Sequence, residues 1–283
     1  MKKRIIQLFL IFVLTLTLTS CKSRVGCEKY SDAKDYKVGD QTYKETISKV
    51  EIDWSCGEVK IVESTNSTIK ITESDQNLKY DKKVHSLVKD GVLYVKFWKS
   101  GLRSDIESKK KFITIQVPSG KEMNIDSISA DVISDKLTGS NINIKTVSGN
   151  INIKEVKTKT CDISTTSGDV SLNKVTSSTK FDIETVSGKL NIGSLISKNI
   201  TANSVSGDVK MELESFTNIE IKVTSSKVNL LVTNDFSATL TYKTTSGKLN
   251  TSLDYRTSGS KRIFGEGTCN IYVKSVSGNL NIN

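Results

Sequence analysis

The chain has 283 residues but only one histidine, one proline and two tryptophans, and aromatic residues make up 6% of it. Each scarcity excludes something. A Ser-His-Asp triad would have to use His85, which lies in the polar stretch KKVHSLVKDG with no nucleophile motif near it. Clusters of His, Cys or carboxylate at ligand spacing are missing, as are a calcium-type Gly-Asp repeat and a Walker-type phosphate loop. A non-catalytic protein with neither metal nor cofactor is therefore expected. With so few aromatics there is no aromatic-basic platform, and no recognition motif for nucleic acid is present. A single proline with 36% hydrophobic and 25% charged residues describes a chain that folds.

Long apolar runs are also lacking, except at the start. Met1-Lys2-Lys3-Arg4 is a basic opening, and Ile5 to Leu18 is an apolar, Thr-containing run. That run is short for a permanent transmembrane helix and suits a secretory leader covering residues 1–20. The ending Leu18-Thr19-Ser20-Cys21 resembles a bacterial lipobox. The resemblance implies cleavage before Cys21, a diacylglyceryl group on its thiol and stable anchoring in a membrane. Residues 21–49 then read as a lipid-anchored tether leading into a first strand. Loss of the leader leaves 38 basic residues against 31 acidic ones, a formal charge of about +7. An exported basic protein meets anionic envelope polymers, and such attraction is salt-sensitive. The same charge also keeps a β-rich surface soluble.

What is abundant is one phrase. TVSGNINI at residues 146–153 returns as TTSGDVSL, TVSGKLNI, SVSGDVKM, VTSSKVNL, TTSGKLNT and SVSGNLNI. The corner positions are Gly149, Gly168, Gly188, Gly207, Ser226, Gly247 and Gly278, with steps of 19, 20, 19, 19, 21 and 31. A degenerate copy is centred on Ala130. Seven and five residues before each corner lie apolar residues such as Ile142 and Ile144; two and four after lie others such as Ile151 and Ile153. Alternation on both flanks predicts two short strands, each with one apolar face. A hairpin meander gives no reason for one copy to match the next. In a solenoid each copy stacks on the previous one, so identity is useful. The expected fold is all-β: a right-handed parallel β-helix or β-solenoid with rungs of about 19–20 residues. Glycine at the corner is expected to serve an unusual φ.

The front is less regular. In VEIDWSCGEVKI, Val50, Ile52, Gly57, Val59 and Ile61 fit the offsets; in VKDGVLYV, Gly91, Leu93 and Val95 fit the second half only. Residues 50–118 read as an irregular N-terminal β region and cap, and 119–283 as regular solenoid. Cys161 aligns with Phe181 and Ile200, as a buried apolar residue. Cys161 and Cys269 fall about five rungs apart, so Cys27–Cys56 is the one plausible disulfide.

The long step between Gly247 and Gly278 contains the insertion 253–267. Its Tyr255, Arg256, Lys261, Arg262 and Phe264 form a candidate binding loop, with a flap covering the last rungs as the other reading. The basic run ESKKKF (107–112) reads as a solvated face or edge guard, with lipid-headgroup contact as the sharper alternative. Asp162 and Asp182 would stack one rung apart as outward polar residues; carboxylate catalysis is the lesser reading. The final copy closes the sequence without a polar cap, which leaves end-to-end stacking open.

The exported leader, VEIDWSCGEVKI, LYVKFW, FITIQVPSG and the serial T-V-S-G copies resemble the bacterial "putative-adhesin" family of β-strand repeat proteins, over roughly residues 45–283. The resemblance implies a β-solenoid envelope protein. The expected role is a lipid-anchored surface scaffold that binds envelope polymers, glycans or surface proteins. The alternatives are an envelope-stress or structural accessory protein of its own cell, and a polysaccharide-active β-helix enzyme.

Overall fold

The computed structural model describes residues 29–102 and 110–283. The leader, Cys21 and Cys27 lie outside the described residues, as do residues 103–109. Seven strands form the N-terminal part: β1 (Lys37–Val38), β2 (Gln41–Tyr43), β3 (Lys49–Ser64), β4 (Ile69–Glu73), β5 (His85–Lys89), β6 (Val92–Lys96) and β7 (Lys111–Pro118). Five long strands follow: β8 (Lys121–Thr146), β9 (Ile151–Thr165), β10 (Val170–Thr185), β11 (Leu190–Ser204) and β12 (Val209–Val223). The C-terminal part holds β13 (Val228–Val232), β14 (Ala238–Thr244), β15 (Leu249–Thr251), β16 (Arg256–Ser258), β17 (Lys261–Phe264), β18 (Cys269–Ser275) and β19 (Leu280–Ile282). The strands join in one largely parallel, unclosed sheet wound as a β-solenoid.

In-register pairing is what the repeat predicts. Phe181 faces Cys161 and Ile200, and Ile183 faces Ile163 and Ala202. All six are buried, so like packs on like at roughly 4.8 Å spacing. Burial of Cys161 also raises its thiol pKa. Each turn has a third side that the corner phrase does not announce. Alternation along β9 resets at Lys154-Glu155 and again at Lys159-Thr160, and Val156 between them is buried. Val156 stacks between Leu137 and Val175, and Leu195 continues the row. The 20-residue step before Gly188 is an irregularity between Ser177 and Lys180, where one rung carries an extra residue.

The corners are held by buried hydroxyls. The N–H groups of Gly149, Gly168 and Gly188 donate to Thr146, Thr165 and Thr185 Oγ1 at 2.9, 2.9 and 2.8 Å. These satisfy backbone donors that would otherwise be stranded inside. Glycine at these three corners does not serve φ, which is positive at the Gly57 corner of the N-terminal part but not here. It serves close approach: a Cβ at Gly168 would sit 1.9 Å from the Gly149 carbonyl oxygen. Ser226 replaces glycine in one corner, where its hydroxyl meets Ser204 Oγ at 2.8 Å.

Stacking follows chain order only in the middle. At the C-terminal end β18 pairs with β12 on one side and β14 on the other, and β19 lies likewise between β13 and β15. The last repeat is therefore the penultimate rung, and the copy around Gly247 is the outermost. The insertion makes this possible: β17 runs back antiparallel along β14, with β16 beside it. Stacking of each copy on the one before it thus fails at the last step, and so does the reading of the final copy as an uncapped end. Cys161 and Cys269 are four strand spacings apart, roughly 19 Å.

The N-terminal end repeats the device. β3 lies inside, between β8 and an outer rung built from β6 and β7. Leu93 and Val95 face Val50 and Ile52, so they fill the first side rather than the second half of a turn. Asp90-Gly91, both at positive φ, is the two-residue hairpin between β5 and β6, not a rung corner.

Candidate functional site

Outward residues of the first side form rows along the stack. On β11, β12, β18 and β14 they line a cleft of about 470 Å³. One row of the floor is Asn199, Asn218, Asn270 and Thr239; the next is Thr201, Glu220, Tyr272 and Thr241. Lys261 of β17 also lines the cleft. The asparagines form a ladder: Asn218 Nδ2 donates to Asn199 Oδ1 at 3.0 Å, and Asn270 Nδ2 donates to Asn218 Oδ1 at 3.2 Å. The internal position of β18 is what places Asn270 and Tyr272 in this floor.

Charge is partitioned along the same face. The next row towards the corner runs Lys222, Lys274, Lys243 at the cleft end. Glu220 is the one acid among the lining residues, and Lys222 Nζ lies 2.7 Å from it. Lys243 Nζ sits 5.7 Å from the centre of the Tyr272 ring. Further down the stack the face carries Asp126, Asp162, Asp182 and Glu184. Asp162 is exposed at its edge, but partial desolvation between the rungs, and then the neighbouring Asp182, raises its carboxyl above its ordinary pKa. Asp182 makes an ion pair with Lys180. These two aspartates stack as expected but do not line the cleft.

The insertion divides its residues between two tasks. Phe264 is buried and its ring lies 5.3 Å from that of Phe236, so the flap reading holds for this residue. Tyr255 is 45% exposed, with its ring 5.6 Å from Phe264 and 6.0 Å from the Arg262 guanidinium. Arg256 is exposed on β16, and Lys261 faces the cleft. The five residues are thus not one patch. Sequence reasoning missed the asparagine ladder and Tyr272, although the rows were present as polar positions in the repeat alignment.

The N-terminal cap holds a second polar cluster, and it is closed. Lys111 occupies the corner position opposite Gly57, which is at φ +103; a Cβ on Gly57 would lie 2.0 Å from the Lys111 carbonyl oxygen. The Lys111 ammonium turns inward to Glu73 Oε1 at 2.8 Å, with side-chain exposures of 4% and 3%. It also donates to the carbonyls of Lys82 and Phe97 and lies 5.0 Å from the Trp54 ring. The basic run is therefore not uniformly a solvated edge. Lys111 is buried because the crowded corner and the Glu73 carboxylate draw it in, while Lys110 and Phe112 stay exposed. His85 is buried beside this cluster, its Nδ1 3.0 Å from the Lys83 carbonyl; burial lowers its pKa.

Among solved structures, a "putative adhesin" from Bacteroides fragilis NCTC 9343 is similar at 16% identity, covering 87% of this chain and 97% of that one with a TM-score of 0.50. A "putative adhesin" from Parabacteroides merdae ATCC 43184 has 16% identity, 92% and 100% coverage and a TM-score of 0.49. A "putative lipid binding protein" from Parabacteroides distasonis ATCC 8503 has 14% identity, 87% and 97% coverage and a TM-score of 0.44. No curated protein matches the chain. Residues 47–283, which hold β3 to β19, match the family described as Toastrack DUF4097, and the chain belongs to that family.

Proposed function

We propose that this protein is a non-catalytic surface scaffold, held to a membrane by lipid on Cys21, that binds envelope or host-surface polymers through the outward face of its first side. The observation that carries the reading is the polar cleft on a rigid, in-register sheet, with its floor fixed by side-chain ladders. Preorganised polar groups on a stiff support favour binding, because little ordering entropy is lost. The names of the similar structures, adhesins among them, agree with this role. Two features favour binding over catalysis. The sole histidine is locked in the N-terminal cap, and the stacked aspartates lie outside the cleft.

The test uses cells producing the full chain or the Cys21→Ala variant. Wild-type cells should incorporate labelled fatty acid into the protein and adhere to matrix or glycan surfaces more than cells lacking it. Label on the variant would sink the lipid assignment. Unchanged adhesion without the protein, together with an envelope defect, would favour the accessory role in its own cell.

A further inference from the structure

We infer that the cleft is a subsite for an acidic polysaccharide, whose ring hydroxyls lie along the asparagine ladder and whose carboxylates face the surrounding lysines. The inference rests on the surface-binding reading above and names its ligand class. Three observations carry it.

The first is the chemistry of the floor. Asn199, Asn218, Asn270, Thr201, Thr239 and Thr241 are uncharged groups that both donate and accept hydrogen bonds. Sugar hydroxyls ask for that mixture. The ladder uses one amide hydrogen of Asn218 and of Asn270. It leaves each a second donor, held in register at roughly 4.8 Å intervals. A periodic ligand such as a polysaccharide suits a periodic floor, and a folded protein surface has no such repeat.

The second is Tyr272. It is the aromatic residue of the floor, a flat apolar ring among polar groups. Such a ring packs against the C–H face of a sugar while its hydroxyl remains in water. A single ring is too little for the successive base stacking that single-stranded nucleic acid requires.

The third is charge. Lys222, Lys243, Lys261 and Lys274 lie in or beside the cleft, against Glu220, which Lys222 already neutralises. The local excess is positive, so the favoured sugar chain is acidic. A lipid surface fits less well. Of the large exposed hydrophobics, Tyr80 and Phe112 belong to the N-terminal cap and Tyr255 to the flap, so none lies in the floor.

The experiment is calorimetric titration of the full chain in detergent micelles with three probes of matched length: oligogalacturonate, a neutral glucan oligosaccharide and inorganic polyphosphate. At about 0.15 M salt, exposed charges more than about 8 Å apart are screened. Saturable binding of the uronate is expected there, roughly tenfold tighter than either other probe, a difference of about 1.4 kcal/mol. Tyr272→Ala and Lys261→Ala should each weaken it by roughly tenfold. Lys145→Ala, on the same side but outside the cleft, should retain it. Thermal midpoints matching the wild type would establish that the variants fold.

Equal binding of polyphosphate with no effect of Tyr272→Ala would reduce the site to general basic attraction and overturn the inference. Equal binding of the neutral glucan would overturn its acidic character. Loss of binding only in variants that fail to fold would overturn the assignment of these side chains. If no probe binds while adhesion of cells still depends on the protein, the polysaccharide subsite fails and the surface-binding role stands.

Discussion

The two ends of the stack solve the same problem differently. Both must stop a parallel ladder without leaving a template for further strands. At the N-terminal end the two strands of the outer rung are each covered by antiparallel strands: β5 covers β6 with β1 beyond it, and β4 covers β7 with β2 beyond it. Aromatic packing of Trp54 on Phe97 and the buried Lys111–Glu73 pair fill the space beneath. At the C-terminal end only one side is closed, by β17 and β16 on β14. On the other side β15 pairs with β19 alone, and it is three residues long. Brevity guards that edge where a cap is missing.

The difference teaches where stability and binding separate. The N-terminal end uses buried charge and large side chains to lock the fold. The C-terminal end uses short strands and a small flap, and keeps its lysines and asparagines outward. The outermost rung thereby becomes part of a cleft rather than part of a closed cap.

Breaking the N-terminal lock should have the largest effect. Lys111→Met leaves Glu73 buried without its partner and should cost about 4 kcal/mol in denaturant unfolding. The double variant with Glu73→Gln should recover much of that loss. A double-variant cost equal to the sum of the singles would mean the two side chains do not act as a pair.

At the C-terminal end, Phe264→Ala should cost about 3 kcal/mol by removing the flap's anchor in the core. The accompanying change should be local, with faster amide exchange in β14 and β17 and unaltered exchange in β3 and β7. Uniform acceleration along the chain would contradict the division between the ends.

In the middle, Gly168→Ala forces a Cβ onto the Gly149 carbonyl and should cost about 2 kcal/mol. A neutral outcome in thermal melts would show that the corner does not need close approach.

The smallest effect concerns pH. Asp162 is held above its ordinary pKa, so the folded state binds its proton more readily than the unfolded state does. Stability should therefore fall as pH rises from the ordinary carboxylate range through the raised folded value. Asp162→Asn should flatten that part of the stability–pH curve. An unchanged slope would assign it to other groups.

Much of the fold was legible in the sequence because the parallel ladder makes identity between rungs a packing requirement. Rows such as Ile142–Cys161–Phe181–Ile200 could be read directly. The third side was harder to see, since Val156, Val175 and Leu195 each give one buried apolar residue between two resets of alternation. Corner glycine was identified for the wrong reason: the sequence cannot distinguish a need for φ from a need for space. Lys111 looked like surface charge because its partner Glu73 lies on a strand that pairs with it only through the cap. Stack order was least legible, as every copy of the phrase fits beside every other. Its one trace was the 31-residue step, the length needed for β16 and β17 to carry the chain back.

The order of the last rungs is the claim on which the cleft depends, and paired cysteines test it directly. In a background without other thiols beyond Cys21, Asn218→Cys with Asn270→Cys places thiols on adjacent strands, within disulfide reach. Asn218→Cys with Thr239→Cys places them two strands apart, roughly 10 Å. The account predicts rapid oxidation of the first pair and none of the second. The reverse result would return the rungs to chain order and remove Asn270 and Tyr272 from between β12 and β14.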